Sequence, residues 1–212
     1  MDDARVSNDA SVTDDAIVKD FAQVKDKATV SNNSIVSDNA IISDDATIYD
    51  TERVSDHATV YESAMVCDKA HIHDQAEVYG DSLVSGSKRV INNAEVFGRA
   101  RINDKVTLSG HAKVYGNAML NDNVQVTDYA KVYDDAYLND RVCARSFANV
   151  YGKAKLYNNV LITNSVHIFG KTKLEGSLHL INDAIISESN DVFSFNDVTQ
   201  KRYLTYTVSN QT

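Results

Sequence analysis

From Val6 onward every sixth residue is Val, Ile or Leu: Val6, Val12, Val18, Val24, Val30, Val36, Ile42, Ile48, and so on to Leu204. Of those 34 positions only Ala144 departs from the rule. Two residues before each aliphatic sits a small residue, usually Ala, as in Ala4, Ala10, Ala16, Ala22, Ala28, Ser34 and Ala40. The repeating unit is Ala-x-Val-x followed by two turn residues. Ala and Val share one side of a short extended segment, and the x residues point the other way. A helix would need apolar spacings of three and four, which this chain does not show. The pattern predicts an all-β chain of very short strands.

The turns follow the same period. The residue two after each aliphatic is nearly always Asp, Asn or Gly, as in Asn8, Asp14, Asp20, Asp26, Asn32, Gly80, Gly86, Asn92 and Gly98. All eight glycines fall at this position. These residue types tolerate positive φ, so each strand is expected to end in a left-handed corner. Three strands and three corners close a triangular prism with 18 residues per turn. An independent ruler gives the same period: Tyr61, Tyr79, Phe97, Tyr115, Tyr133, Tyr151 and Phe169 lie 18 apart without a slip. The register runs about eleven turns, a rod roughly 50 Å long at about 4.8 Å per turn.

An aliphatic followed four residues later by a small one, repeated every six, resembles the hexapeptide repeat [LIV]-[GAED]-x-x-[STAV]-x of left-handed parallel β-helices. The match covers about residues 4 to 188 with no insertion in some thirty repeats. Runs such as His111-Ala112-Lys113-Val114-Tyr115-Gly116-Asn117-Ala118 further resemble the NARVYG-type arrays of bacterial and phage proteins. The left hand of the coil is implied by this resemblance, since general crossover rules favour the opposite hand. Many hexapeptide-repeat proteins are acyltransferases, commonly trimers with an acyl-CoA site between neighbouring prisms. The resemblance implies for them a catalytic His, usually a loop thrown out from the prism, and a cap domain. This chain has no such loop, and no family motif falls on His71, His111 or His167.

The inner positions carry their own checks. Where the large position holds Ala144, the paired small position holds Val142, an exchange of volumes that a close-packed core requires. Two small positions break the rule outright, at Glu52 and Lys88. After Ser189 the pattern changes, with Asn190 and Asn196 at small positions and an alternating run from Arg202 to Val208 that reads as a strand. Residues 1–188 are expected to form the β-helix, and residues 189–212 a different, cap-like or truncated segment.

Composition narrows the function classes. A formal net charge of −9 opposes binding to nucleic-acid phosphates. No apolar run approaches a membrane span, so the expectation is a soluble, cytoplasmic protein without membrane contact. Cys67 and Cys143 sit on different faces about four turns apart, roughly 20 Å, too far for a disulfide.

Three constellations can carry chemistry. The aromatic column follows the inner aliphatic by one residue and therefore points outward. It reads either as a stacked ladder that stabilises the rod or as a stripe for another subunit or ligand, bordered by Glu77, Glu95, Lys113, Lys131, Asn149 and His167. On another face Arg53, His71 and Arg89 stack 18 apart, with His73 beside His71, near the two broken inner positions. This group could hold an anionic ligand or serve as a base; its cationic neighbours oppose zinc. The corner carboxylates Asp20, Asp38, Asp56 and Asp74 read either as a Ca²⁺ ladder or as residues suited to the corner backbone.

The expected function is a non-catalytic solenoid, a structural or protein-interaction scaffold that binds itself or a partner protein through its aromatic-lined face. Its most concrete form is a homotrimer, with no cofactor and no metal. The alternative is a hexapeptide-repeat acyltransferase using acyl-CoA.

Overall fold

The structure is a computed structural model; it describes residues 3–86 and 89–189 and the backbone of two further strands, Val192–Asp197 and Arg202–Thr207. The chain is a left-handed parallel β-helix with three flat sheets. The first face holds eleven strands, from Arg5–Val6 to Ile185–Ile186. The second holds ten, from Ser11–Val12 to Lys173–Leu174, and the third ten, from Ile17–Val18 to Ser177–Leu180. That is ten complete turns and the first strand of an eleventh. Every pairing within these faces is parallel and shifted by one coil, as in Glu95 with Lys113 and Val96 with Val114.

The strands are mostly two residues long because a corner interrupts each repeat. Among the described residues every left-handed φ falls at the expected corner position: the eight glycines and 22 others, from Asn8 to Asn182. Glu62 and Ser146, corner residues outside the Asp, Asn and Gly rule, still adopt φ of 58° and 60°. Tertiary stacking overrides their local preference, because one corner out of register would misplace every later coil.

Coil-to-coil amide bonds supply the ladder. Ser11 N donates to Ala28 O at 2.9 Å and Thr13 N to Val30 O at 3.0 Å, and the same step recurs up the rod. The Ala and aliphatic columns fill the interior, with Ala22, Val24, Ile72, Leu108 and Leu156 wholly buried. Val142 and Ala144 are both wholly buried, so the exchanged pair preserves the packing. Two small inner hydroxyls are satisfied locally, Thr172 Oγ1 donating to Phe169 O at 2.7 Å and Ser34 Oγ to Ser31 O, whereas the buried Ser82 Oγ has no partner among the described residues.

Past the last repeat, Val192–Asp197 and Arg202–Thr207 pair antiparallel, which places a strand where the Arg202–Val208 run predicts one. Lys88 and the boundary residue Asn190 lie outside the described residues. Cys67 and Cys143 are free thiols. Among the described residues no helix is long and apolar enough to cross a membrane.

Candidate interaction face

The first face presents three outward columns, exemplified in one coil by His111, Lys113 and Tyr115, with Ala112 and Val114 turned inward. Because the strands pair with no offset, each outward side chain stands directly over its counterpart one coil below.

In the column of Tyr61, Tyr79, Phe97, Tyr115, Tyr133, Tyr151 and Phe169 the rings stack in parallel. Centroids from Tyr61 to Tyr151 are 4.7 to 4.9 Å apart with interplanar angles of 1° to 6°, and the Tyr151–Phe169 step is 5.1 Å and 11°. The small angles show that successive coils hardly rotate, so this face is flat, and side-chain ladders are one of the devices that stabilise flat sheets. Each ring pair adds about 0.5–1.5 kcal/mol. All seven rings are half-buried, with their faces covered by one another. The column therefore offers its ring edges and hydroxyls outward.

Two of those hydroxyls are tied to the neighbouring column. Tyr61 Oη donates to Glu77 Oε2 at 3.2 Å and Tyr79 Oη to Glu95 Oε2 at 3.4 Å. Burial and then Glu95 push the Tyr79 phenol up to about 12, and burial and then Glu77 raise that of Tyr61 further. Burial, with Tyr115 and Tyr151 on either side, takes Tyr133 to about 12. Tyr61, Tyr79 and Tyr133 therefore stay protonated and uncharged at neutral pH.

A second aromatic column, which the sequence reading passes over, runs along the corner leading into this face. His111, Tyr129 and Phe147 stack at 4.9 and 5.3 Å. Tyr129 is 50% and Phe147 58% exposed, so they are more open than any ring of the longer column. They line a shallow groove of about 400 Å³ with Lys113, Lys131 and Asn149. The signal for them is the same 18-residue period, from Phe21, but Asn39, His57, Gln75 and Asn93 intervene and hide it.

The middle column runs Thr59, Glu77, Glu95, Lys113, Lys131, Asn149 up the rod. Lys113 Nζ lies 2.7 Å from Glu95 Oε1. Among the described residues Lys131 makes no ion pair.

The third face brings Arg53, His71 and Arg89 into direct register, all exposed. Partial burial, and then the charges of Arg53 and Arg89, lower the His71 pKa, so this ring is neutral at pH 7. His73 turns the other way. Its Nδ1 lies 3.4 Å from Asp74 Oδ2 and 3.8 Å from Asp56 Oδ2, at the acidic corner. The three arginine and histidine side chains form one cluster, and His73 belongs to a second one with two carboxylates able to meet a cation.

Those corner carboxylates have a structural task. Each accepts a hydrogen bond from the amide of the corner one coil above: Asp38 N donates to Asp20 Oδ2, Asp56 N to Asp38 Oδ2, Asp74 N to Asp56 Oδ2 and Asn92 N to Asp74 Oδ2. The same bond recurs on the other corners, as where Ser146 N donates to Asp128 Oδ2 at 2.9 Å.

Glu52 stands in the inner small column between Ser34 and Ala70, and it is 1% exposed. Neither carboxyl oxygen has a hydrogen-bond partner among the described residues. Burial, reinforced by Asp50 and Asp68, pushes its pKa up to about 8, so it is mostly neutral at pH 7.

No family model matches this sequence, and no curated protein matches it.

Proposed function

We propose that this chain is a non-catalytic hexapeptide-repeat solenoid whose first face is an interaction surface, either for another copy or for a partner protein. The observation that carries this reading is the flatness of that face together with its two stacked aromatic columns and the charged column between them. Aromatic residues are enriched at protein interfaces, and here two columns of them flank the charged one. The unbroken repeat supports a rigid display surface over a catalyst, because a small-molecule site needs concavity and convergent polar groups. The free thiols of Cys67 and Cys143 support a reducing, cytoplasmic setting.

The test is the mass in solution of the Tyr115→Ser, Tyr133→Ser double variant beside the parent chain. Loss of association in a folded variant is the expected result. An unaltered mass, in a chain that associates, would count against this face. The acyltransferase alternative predicts a thermal shift with acetyl-CoA, and the scaffold reading predicts none.

A further inference from the structure

The order of charges along the middle column has a symmetry. Reading up the rod, Glu77 and Glu95 are followed by Lys113 and Lys131, with neutral Thr59 and Asn149 at the two ends. The sign reverses between Glu95 and Lys113. Six strands of the first face lie before that point and five after it, so the reversal falls near the middle of the rod.

Resting on the reading of this face as an interaction surface, we propose that its occupant is a second copy of the same chain, docked antiparallel. The two-fold axis lies in the plane of contact, parallel to the strands, and passes between the coils of Glu95 and Lys113. A two-fold contact must be self-complementary, since what one copy presents to the other it also receives. This face satisfies that requirement. Inversion about the axis sets Glu77 opposite the second copy's Lys131, and Glu95 opposite its Lys113. The aromatic column then meets itself, with Phe97 across from Tyr115 and Tyr79 across from Tyr133. Tyr129 and Phe147, the open rings of the corner column, are covered along the edge.

The opposite alignment fails on the same residues. A parallel face-to-face pair would set Glu77 on Glu77 and Lys113 on Lys113, and like charges in apposition cost affinity and exclude that arrangement. The inferred assembly is thus a two-fold pair in place of the trimer that the repeat resemblance implies.

The area suffices for a specific but weak contact. Three outward columns about 7 Å apart, over six coils at about 4.8 Å, cover roughly 500 Å² on each copy. The total of roughly 1,000 Å² sits at the lower limit for specific association. Flatness matters here, because a twisted face would meet its copy over only a few coils.

The experiment is sedimentation velocity over a concentration series with charge variants of the full chain, each checked for an unchanged melting curve. The Glu77→Lys, Glu95→Lys variant and the Lys113→Glu, Lys131→Glu variant each present a single charge sign and are expected to be monomers. Their equimolar mixture is expected to restore the pair. The fourfold variant, with all four signs exchanged, is expected to pair with itself. A monomeric parent chain overturns the proposal, as does a monomeric fourfold variant. Association that survives every charge variant but is lost with Tyr115→Ser, Tyr133→Ser overturns the antiparallel pairing while leaving the interaction face standing.

Discussion

Glu95 and Lys113 stand one coil apart in the same outward column, with Lys113 Nζ 2.7 Å from Glu95 Oε1. Within one rod this is a surface ion pair, worth about 0–1 kcal/mol. Its larger meaning is positional, since it marks where the face changes sign. Salt therefore separates the two roles. Raising NaCl from about 0.05 M to about 0.5 M shortens the screening length severalfold. The expected outcome is several-fold weaker self-association by sedimentation, with the melting temperature nearly constant.

The buried carboxyl of Glu52 makes stability depend on pH in a defined direction. Its folded pKa is raised from 4.5 to about 8. Below the lower value it is protonated in both states and contributes nothing. Between the two values the unfolded chain releases the proton and the folded chain keeps it, so stability falls as pH rises through that window. Above about 8 the penalty is constant, roughly 3–5 kcal/mol. Glu52→Ala, the residue found one coil above at Ala70, should remove this slope and melt higher than the parent at pH 8. Denaturant titrations at pH 5 and pH 8 check it; equal slopes in parent and variant would contradict it.

Asp74 acts with the opposite sign. The amide of Asn92, and secondarily His73, hold its carboxyl below the usual range. Its contribution is present above the unfolded value near 3.8 and is lost as pH falls through the folded one. Asn92 donates from both N and Nδ2 to Asp74 Oδ2, at 2.9 and 3.0 Å. Asp74→Ala removes that acceptor and places a β-carbon without a polar group at φ 63°, so a loss of about 1–3 kcal/mol is expected at pH 7. Asp74→Asn should retain most of the stability. Urea unfolding of the two variants distinguishes these outcomes.

Tyr115 stacks between Phe97 and Tyr133. Tyr115→Ala removes two ring contacts and should cost about 1–3 kcal/mol. Tyr115→Phe keeps both and should unfold at nearly the parent's midpoint. Equal destabilisation by the two substitutions would show that the hydroxyl, and not the stack, matters at this coil.

Most of the architecture can be read directly from the repeat, because each coil repeats one steric problem. Val at the inner position, Ala two before it and Asp, Asn or Gly at the corner fix strand, core and φ together. Glu62 and Ser146 show the limit of that reading, since their corners are imposed by neighbouring coils and not by their own preferences. The site residues are less fully encoded. The period places Tyr61 to Phe169 in one column, but only ring geometry shows that their faces are spent on each other. The period likewise sets His73 beside His71; the side-chain orientation toward Asp56 and Asp74 is a three-dimensional fact. Tyr129 and Phe147 escape the sequence reading because their column is mixed, and exposure identifies them only after folding.

The proposed pairing covers the first face. Hydroxyl-radical footprinting at low and high protein concentration, read by mass spectrometry at Tyr129, Phe147 and Met65, tests it most directly. Tyr129 and Phe147 belong to the edge of the first face, and Met65, 40% exposed, lies on the second. Oxidation of Tyr129 and Phe147 is expected to fall as the chain is concentrated while that of Met65 is unchanged. Association that leaves Tyr129 and Phe147 as reactive as before, or that protects Met65 instead, would contradict it.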